Sequence, residues 1–150
     1  MQDVRDIIEI CQIYNCRYVA GDAGVGATAN AMLMEALGRH RVVQIQYGSA
    51  ANMCKWNGKD RYMVDKTAAI DSMMLLYLRE GVIFPHAHQM KQPFDDILSE
   101  FEEVTRQGAG KKVWNHAPLV PDDCLHAQVF GWVAGEIASH RVSFYHADMT

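Results

Sequence analysis

Apolar residues recur at three- and four-residue steps at Val4, Ile7, Ile8 and Cys11, which predicts an amphipathic helix over Val4 to Tyr14 with Asp3 near its start. A β-prone run, Arg17-Tyr18-Val19-Ala20, then ends at Gly21-Asp22-Ala23-Gly24-Val25-Gly26, whose three glycines allow a tight turn close to a ligand or another backbone. A second helix is expected over Ala27 to Leu37, ended by Gly38. Val42 to Tyr47 alternates as a strand does, and Gly48 to Lys59 reads as a polar loop. A further β-like piece, Arg61 to Val64, leads into a helix over Thr67 to Glu80 with Ile70, Met73, Met74, Tyr77 and Leu78 on one face. Val82-Ile83-Phe84-Pro85 reads as a short edge strand, because its proline cannot donate to a ladder.

Phe94 to Arg106 has helical spacing again, with Ile97, Leu98, Phe101 and Val104 toward the core. Lys112-Val113-Trp114 is strand-like, and Pro121-Asp122-Asp123 starts a last helix that runs to about Ser139. The tail from Val142 to Thr150 is one more strand or an ordered extension. Strands that alternate with helices of this length predict an α/β fold with helices on the faces of a sheet. The chain's 150 residues fit one domain, and 49% apolar with 21% charged residues excludes a collagen-like, low-complexity or disordered chain.

Charge narrows the function. Fourteen Lys and Arg against eighteen Asp and Glu give a net charge of −4, so any nucleic-acid contact must be local or metal-assisted. The densest cationic set is Arg39, Arg41, Lys55, Lys59, Arg61 and Lys66, around the loop that holds Trp56; it is either a sequence-independent DNA-backbone surface or a solubilising face. Cys11, Cys16, Cys54 and Cys124 lack C-x-x-C spacing, and the charged N-terminus lacks a secretory apolar run, which predicts a reducing cytosol. No apolar stretch approaches the ~18–20 residues needed to cross a bilayer.

Two segments carry candidate chemistry. Gly21 to Thr28 nearly matches a phosphate-cradling loop, but Ala27 stands where the lysine that reaches the β- and γ-phosphates belongs, which argues against nucleotide hydrolysis. Asp22 lies at the C-terminal end of a strand, where ligands bind in open α/β sheets. In Pro121-Asp122-Asp123-Cys124-Leu125-His126-Ala127, Asp123 and His126 share a helix face. The two carboxylates and the imidazole are either ligands for a hard cation such as Mg²⁺ or Mn²⁺, or a helix cap beside an ordinary histidine. His86 and His88, with His116, His140 and His146, raise a zinc site as an alternative, although H-A-H after a proline is the spacing of a loop.

Together V-A-G-D-A-G-V-G-A-T-A-N, V-V-Q-I-Q-Y, V-D-K-T-A-A-I-D-S-M-M, G-V-I-F-P and P-D-D-C-L-H-A resemble the C-terminal nuclease domain of the large terminase subunit of tailed bacteriophages, from about residue 5 to about residue 135. The most specific pieces are D-A-G-x-G-A-T-A-N and D-D-x-L-H-A; K-T in V-D-K-T stands where such terminases commonly have R-T. The resemblance implies a single domain over 1–150 with a ribonuclease H-like mixed sheet flanked by helices, and DNA cleavage at two Mg²⁺ or Mn²⁺ ions, one activating water and the other stabilising the leaving oxygen. It implies Asp22 and Asp123 as catalytic, metal-holding carboxylates, Asp122 and His126 as further ligands, and Lys55, Lys59, Arg61 and Lys66 as DNA contacts.

The expected partners are double-stranded DNA and other terminase and portal components in the cytoplasm of a bacterial host, with no membrane. The family's first catalytic aspartate lies on strands that would precede Met1, so the chain is expected to be N-terminally incomplete, with Asp65, Asp71 or a second chain as the substitute. A sheet without its first strands exposes an edge, which predicts a homodimer or strand exchange.

Overall fold

The computed structural model describes residues 2–50, 52–104 and 112–139. They form two compact units, one from the residues up to Asp65 and from Phe130 onward, the other from Lys66–Val129. The expected mixed sheet flanked by helices is present. The expected tail from Val142 to Thr150, with His140 and His146, lies outside the described residues.

In the first unit, α1 (Gln2–Ile13) leads to β1 (Val19–Asp22), α2 (Ala27–Leu37), one 3-10 turn at Arg39–Arg41 and β2 (Val42–Tyr47). Strands β3 (Cys54–Trp56) and β4 (Tyr62–Val64) complete a sheet of order β1-β2-β4-β3. β1, β2 and β4 are parallel, with Ala20 opposite Val43 and Ile45 opposite Tyr62; β3 runs antiparallel to β4, with Lys55 opposite Met63. Val42, Val43 and Ile45 are all buried, as expected for a parallel strand covered on both faces, and Ile45 and Val64 on the two inner strands are sealed completely.

Helices α1 and α2 and the start of β2 share one apolar cluster of Cys11, Leu33, Leu37 and Val42, with Val4, Ile8, Val19 and Met34 against it. The last turns of α5 (Asp123–Ala138) bury Phe130, Val133, Ala134 and Ile137, and the Phe130 ring lies 5.3 Å from that of Tyr47. The Arg41 guanidinium donates to the Cys16 carbonyl and that of Arg17 to the Ala138 carbonyl, tying these connections down. The segment expected as a polar loop, Gly48 to Lys59, contains β3, because Cys54 is buried on the sheet and Trp56 packs its ring 4.9 Å from Tyr62.

In the second unit, α3 (Lys66–Leu78) and α4 (Lys91–Ser99) precede a hairpin of β5 (Glu100–Val104) and β6 (Lys112–His116), followed by the first turns of α5. Three sequence expectations fail here. Phe94 to Arg106 is not one helix: α4 stops at Ser99 and the chain turns extended, leaving Leu98, Phe101 and Val104 exposed. Cross-strand polar pairs, Lys112 Nζ to Glu102 at 2.8 Å and Asn115 to Glu103 at 3.1 Å, hold the alternative, while the Ser99 hydroxyl donates to the Asp96 carbonyl at the helix end.

Val82 to Pro85 forms no strand. Ile83 is fully in solvent, and Phe84 sits between the rings of Tyr77 (5.5 Å) and Phe94 (5.2 Å), so its apolar character serves an aromatic cluster. Leu78, expected on the buried face of α3, is 80% exposed, whereas Ala69, Ile70 and Met73 are buried. Asp71, named as a substitute carboxylate, is engaged within this unit: its Oδ1 accepts from Trp114 Nε1 at 2.7 Å and Lys112 Nζ at 2.9 Å, joining α3 to β6.

Burial pushes the Cys54 thiol up to about 11 and, with Cys54 and Tyr18 nearby, the Tyr62 hydroxyl to about 12. The folded chain therefore keeps protons that the unfolded chain releases, so this stabilisation is complete below the ordinary thiol value and is lost as pH rises through the folded one. Urea denaturation should give an unfolding free energy that falls above pH 9, with up to about 3 kcal/mol of the fall due to Cys54 and absent in Cys54→Ala.

Candidate functional site

Asp22 ends β1, and its backbone and side chain build the turn that follows. Its Oδ1 accepts the N–H groups of Gly24 and Val25, both at 2.7 Å, and its carbonyl accepts from Asn30 Nδ2 at 2.7 Å. Asn30 lies on α2 and is 2% exposed, so its amide closes the turn from beneath. A Cβ on Gly21 would collide with Asn30 Oδ1, and one on Gly26 would stand 2.5 Å from the Asp22 carbonyl. The pattern G-D-A-G-V-G-A-T-A-N is thus a strand-to-helix lock, with glycine where the backbone meets the lock. Among the described residues Asp22 Oδ2 accepts no hydrogen bond, which leaves one carboxylate oxygen for a ligand.

Asp122 immediately precedes α5, and Asp123 is its first residue. The helix cap, the alternative reading of these two carboxylates, is supplied by neither side chain. Asp96, buried on α4, accepts the Cys124 N–H on Oδ2 at 2.9 Å, placing its carboxylate at the positive end of the helix. Asp122 Oδ2 instead lies 2.7 Å from His126 Nε2 and 3.2 Å from His116 Nδ1. Glu100 joins this group because Glu100 and His116 are directly opposite in the hairpin register, with Glu100 Oε1 3.4 Å from His116 Nδ1.

The Glu100 side chain is wholly buried, yet neither oxygen accepts a hydrogen bond, and His116 Nδ1 is likewise buried and unbonded. Glu100, His116 and Asp122 each offer one donor atom, all within 4.8 Å of one another, so the group can hold a metal ion. It is the one such His, Cys, Asp and Glu group among the described residues. His86 and His88, considered for zinc, are exposed and stack their rings 5.8 Å apart without a third ligand.

The sequence-predicted residues are therefore distributed as follows. Asp122 and His126 meet; Asp123 is exposed on the first turn and stays out of the cluster; Asp22 belongs to the first unit. Glu100, Asp96 and Asn30 were missed. Only Asn30 carried a readable signal, as a polar residue near the start of an otherwise apolar helix.

Of the cationic candidates, Arg61 is occupied, since its guanidinium meets both Asp60 oxygens at 3.0 and 2.7 Å and Gln46 Oε1 at 3.0 Å. Those bonds, with Asn57, hold the Asp60 carboxyl far below the usual carboxylate range. Lys55 and Lys59 are exposed on β3 and the following turn, and Lys66 opens α3 in the second unit. Lys59, Arg39 and His40 line a cleft of about 560 Å³ together with Trp56, Tyr18 and Tyr62.

Comparison of the chain with models of protein families, with curated proteins and with solved structures finds no match. The lock at the end of β1 generates a direct prediction. Asn30→Ala strips the Asp22 carbonyl of its buried partner and should cost about 2 kcal/mol in urea unfolding.

Proposed function

We propose that the chain is the metal-dependent endonuclease domain of a phage DNA-packaging terminase, a ribonuclease H-like domain that cleaves DNA phosphodiester bonds by two-metal hydrolysis. The observation that carries this reading is Asp22: a carboxylate at the C-terminal end of a parallel strand, fixed through Oδ1 and with Oδ2 left over. The site residues are Asp22 and Asp123, with Asp122 and His126 beside Asp123.

Carboxylate oxygens are the donors that Mg²⁺ and Mn²⁺ take, so Asp22, Asp122 and Asp123 suit those ions, with His126 as the weaker ligand. When bound, they supply an activated water and charge stabilisation for the leaving oxygen. The chain's own part is to hold the oxygens still: the Gly24 and Val25 amides fix Asp22, and the His126 imidazole holds Asp122. Lys55 and Lys59 would meet DNA phosphates as exposed cations, each releasing counterions on contact. Arg61 would have to leave Asp60 to join them, and Lys66 extends the set. Double-stranded DNA, other terminase and portal components and a second copy of the chain are the partners this reading assigns, in the cytoplasm of a bacterial host. No described helix is long and apolar enough to cross a membrane.

A second reading, a non-cutting terminase fragment that binds DNA or a packaging partner, draws on a specific feature. The Asp22 carboxylate already has a structural task in the turn, and that task needs no metal.

Nicking of supercoiled plasmid decides between them. The purified chain in Mn²⁺ or Mg²⁺ should convert plasmid to nicked and linear forms, EDTA should stop it, and Asp22→Asn or Asp123→Ala should lower the rate at least about a hundredfold. Asparagine keeps an Oδ1 for the turn, so its loss of cutting would reflect charge rather than folding. A folded wild-type chain that leaves plasmid intact would contradict the nuclease reading and favour the second.

A further inference from the structure

The strongest unexplained feature of the second unit is the buried carboxylate of Glu100. A carboxylate taken out of water is costly unless it is paired and hydrogen-bonded. Glu100 has a completely covered side chain, and neither of its oxygens accepts a hydrogen bond. His116 beside it also offers a buried ring nitrogen without a hydrogen bond, although Nδ1 stands only 3.4 Å from Glu100 and 3.2 Å from Asp122. Three donor atoms are close, yet not aligned to bond to one another. Such an arrangement fits atoms directed at a common centre.

We infer that Glu100, His116 and Asp122 bind one divalent transition-metal ion of the zinc class, which clasps the base of the β5–β6 hairpin to the start of α5. This goes beyond the nuclease reading and does not rest on it: the two share Asp122, but Glu100 and His116 belong to this group alone, and Asp22 and Asp123 to the nuclease site alone.

Donor chemistry selects the metal, and two of the three ligand separations suit it. Zinc bonds of roughly 2.0–2.1 Å in a tetrahedron set neighbouring ligand atoms about 3.3 Å apart. The two separations from His116 Nδ1, 3.4 and 3.2 Å, match that edge, while the two carboxylates, whose oxygens lie within 4.8 Å, would close on a bound ion. One imidazole with two carboxylates suits zinc better than magnesium, which prefers an all-oxygen octahedron that keeps several waters. Three protein ligands leave a fourth position for water, and the partly exposed His116 ring provides the route from solvent. His126 then acts as a positioning residue. Its Nε2 lies 2.7 Å from Asp122 Oδ2, the kind of outer hydrogen bond that orients a ligating carboxylate.

The position of the ligands gives the site a task. Glu100 is the first residue of β5, His116 the last of β6, and Asp122 the residue before α5. One ion would neutralise the buried charge and tie the start of α5 to the paired ends of β5 and β6.

The test is calorimetric titration of the metal-free full chain with ZnCl₂ and, separately, MgCl₂, with thermal melts of the same samples. The wild type should take up one equivalent of Zn²⁺, gain thermal stability, and bind Mg²⁺ far more weakly. Glu100→Gln and His116→Ala should each abolish that stoichiometric uptake, and His126→Ala should weaken it by about tenfold. Glu100→Gln removes a buried charge, so its metal-free melting temperature should be no lower than that of the wild type, which separates lost binding from lost folding. Asp22→Asn and Asp123→Asn should bind Zn²⁺ as the wild type does, whatever they do to plasmid cleavage. Absence of saturable Zn²⁺ uptake by the folded wild type, undiminished uptake in the Glu100→Gln/His116→Ala double variant, or Mg²⁺ binding as tight as Zn²⁺ would each overturn the inference.

Discussion

The hydrogen bond from the Asn30 amide to the Asp22 carbonyl is the constraint on which the first unit turns. It joins the last residue of β1 to the first turn of α2, so the direction in which the helix leaves the sheet is set at the strand end. Everything near it follows from lack of space. Gly21 lies against Asn30 and Gly26 against the Asp22 carbonyl, so neither position has room for a side chain. The Asp22 carboxylate is divided by the same geometry, one oxygen taken by two backbone amides and the other left without a hydrogen bond among the described residues. The lock thus commits one oxygen of the side chain and leaves the other uncommitted.

The second unit is governed by a charge rather than by space. The hairpin register puts Glu100 against His116, and the chain leading into α5 adds Asp122, so two carboxylates share one imidazole. Asp96 is also buried, but it differs from Glu100 in having a partner, the Cys124 amide at a helix N-terminus. Two covered acids lie in one small unit, and only one is satisfied by the protein. That contrast singles out Glu100 as the residue whose burial asks for something more than the protein itself offers.

The elements that the sequence made legible are those with local signals. α2 spans Ala27–Leu37 and β2 spans Val42–Tyr47 as the pattern predicts, because a glycine ends the helix and apolar alternation marks the strand. Ile97, Leu98, Phe101 and Val104 carry equally good helical spacing, yet the last two are strand residues. There the partner strand, Lys112–His116, decides, and no local pattern reports it. The same reason hid Glu100 and its meeting with His116 in the metal-capable group. Asp122 and His126 were legible as members of one motif, although the face-sharing pair expected there was Asp123 with His126, whereas Glu100 meets His116 only once the hairpin register is known. Asp96 was hidden for a similar reason, since a cap supplied from another helix leaves no mark next to the helix it caps.

The central functional claim is that Asp22 holds a divalent cation through the oxygen its turn does not use. Paramagnetic Mn²⁺ reports this directly, because it broadens amide resonances near the ion in a ¹H–¹⁵N spectrum of the labelled chain. Substoichiometric Mn²⁺ should broaden Gly24 and Val25, whose amides bond to the same carboxylate, and Asp22→Asn should abolish that broadening while keeping the two signals in place. Sharp Gly24 and Val25 resonances at millimolar Mn²⁺ in the folded wild type would contradict the account.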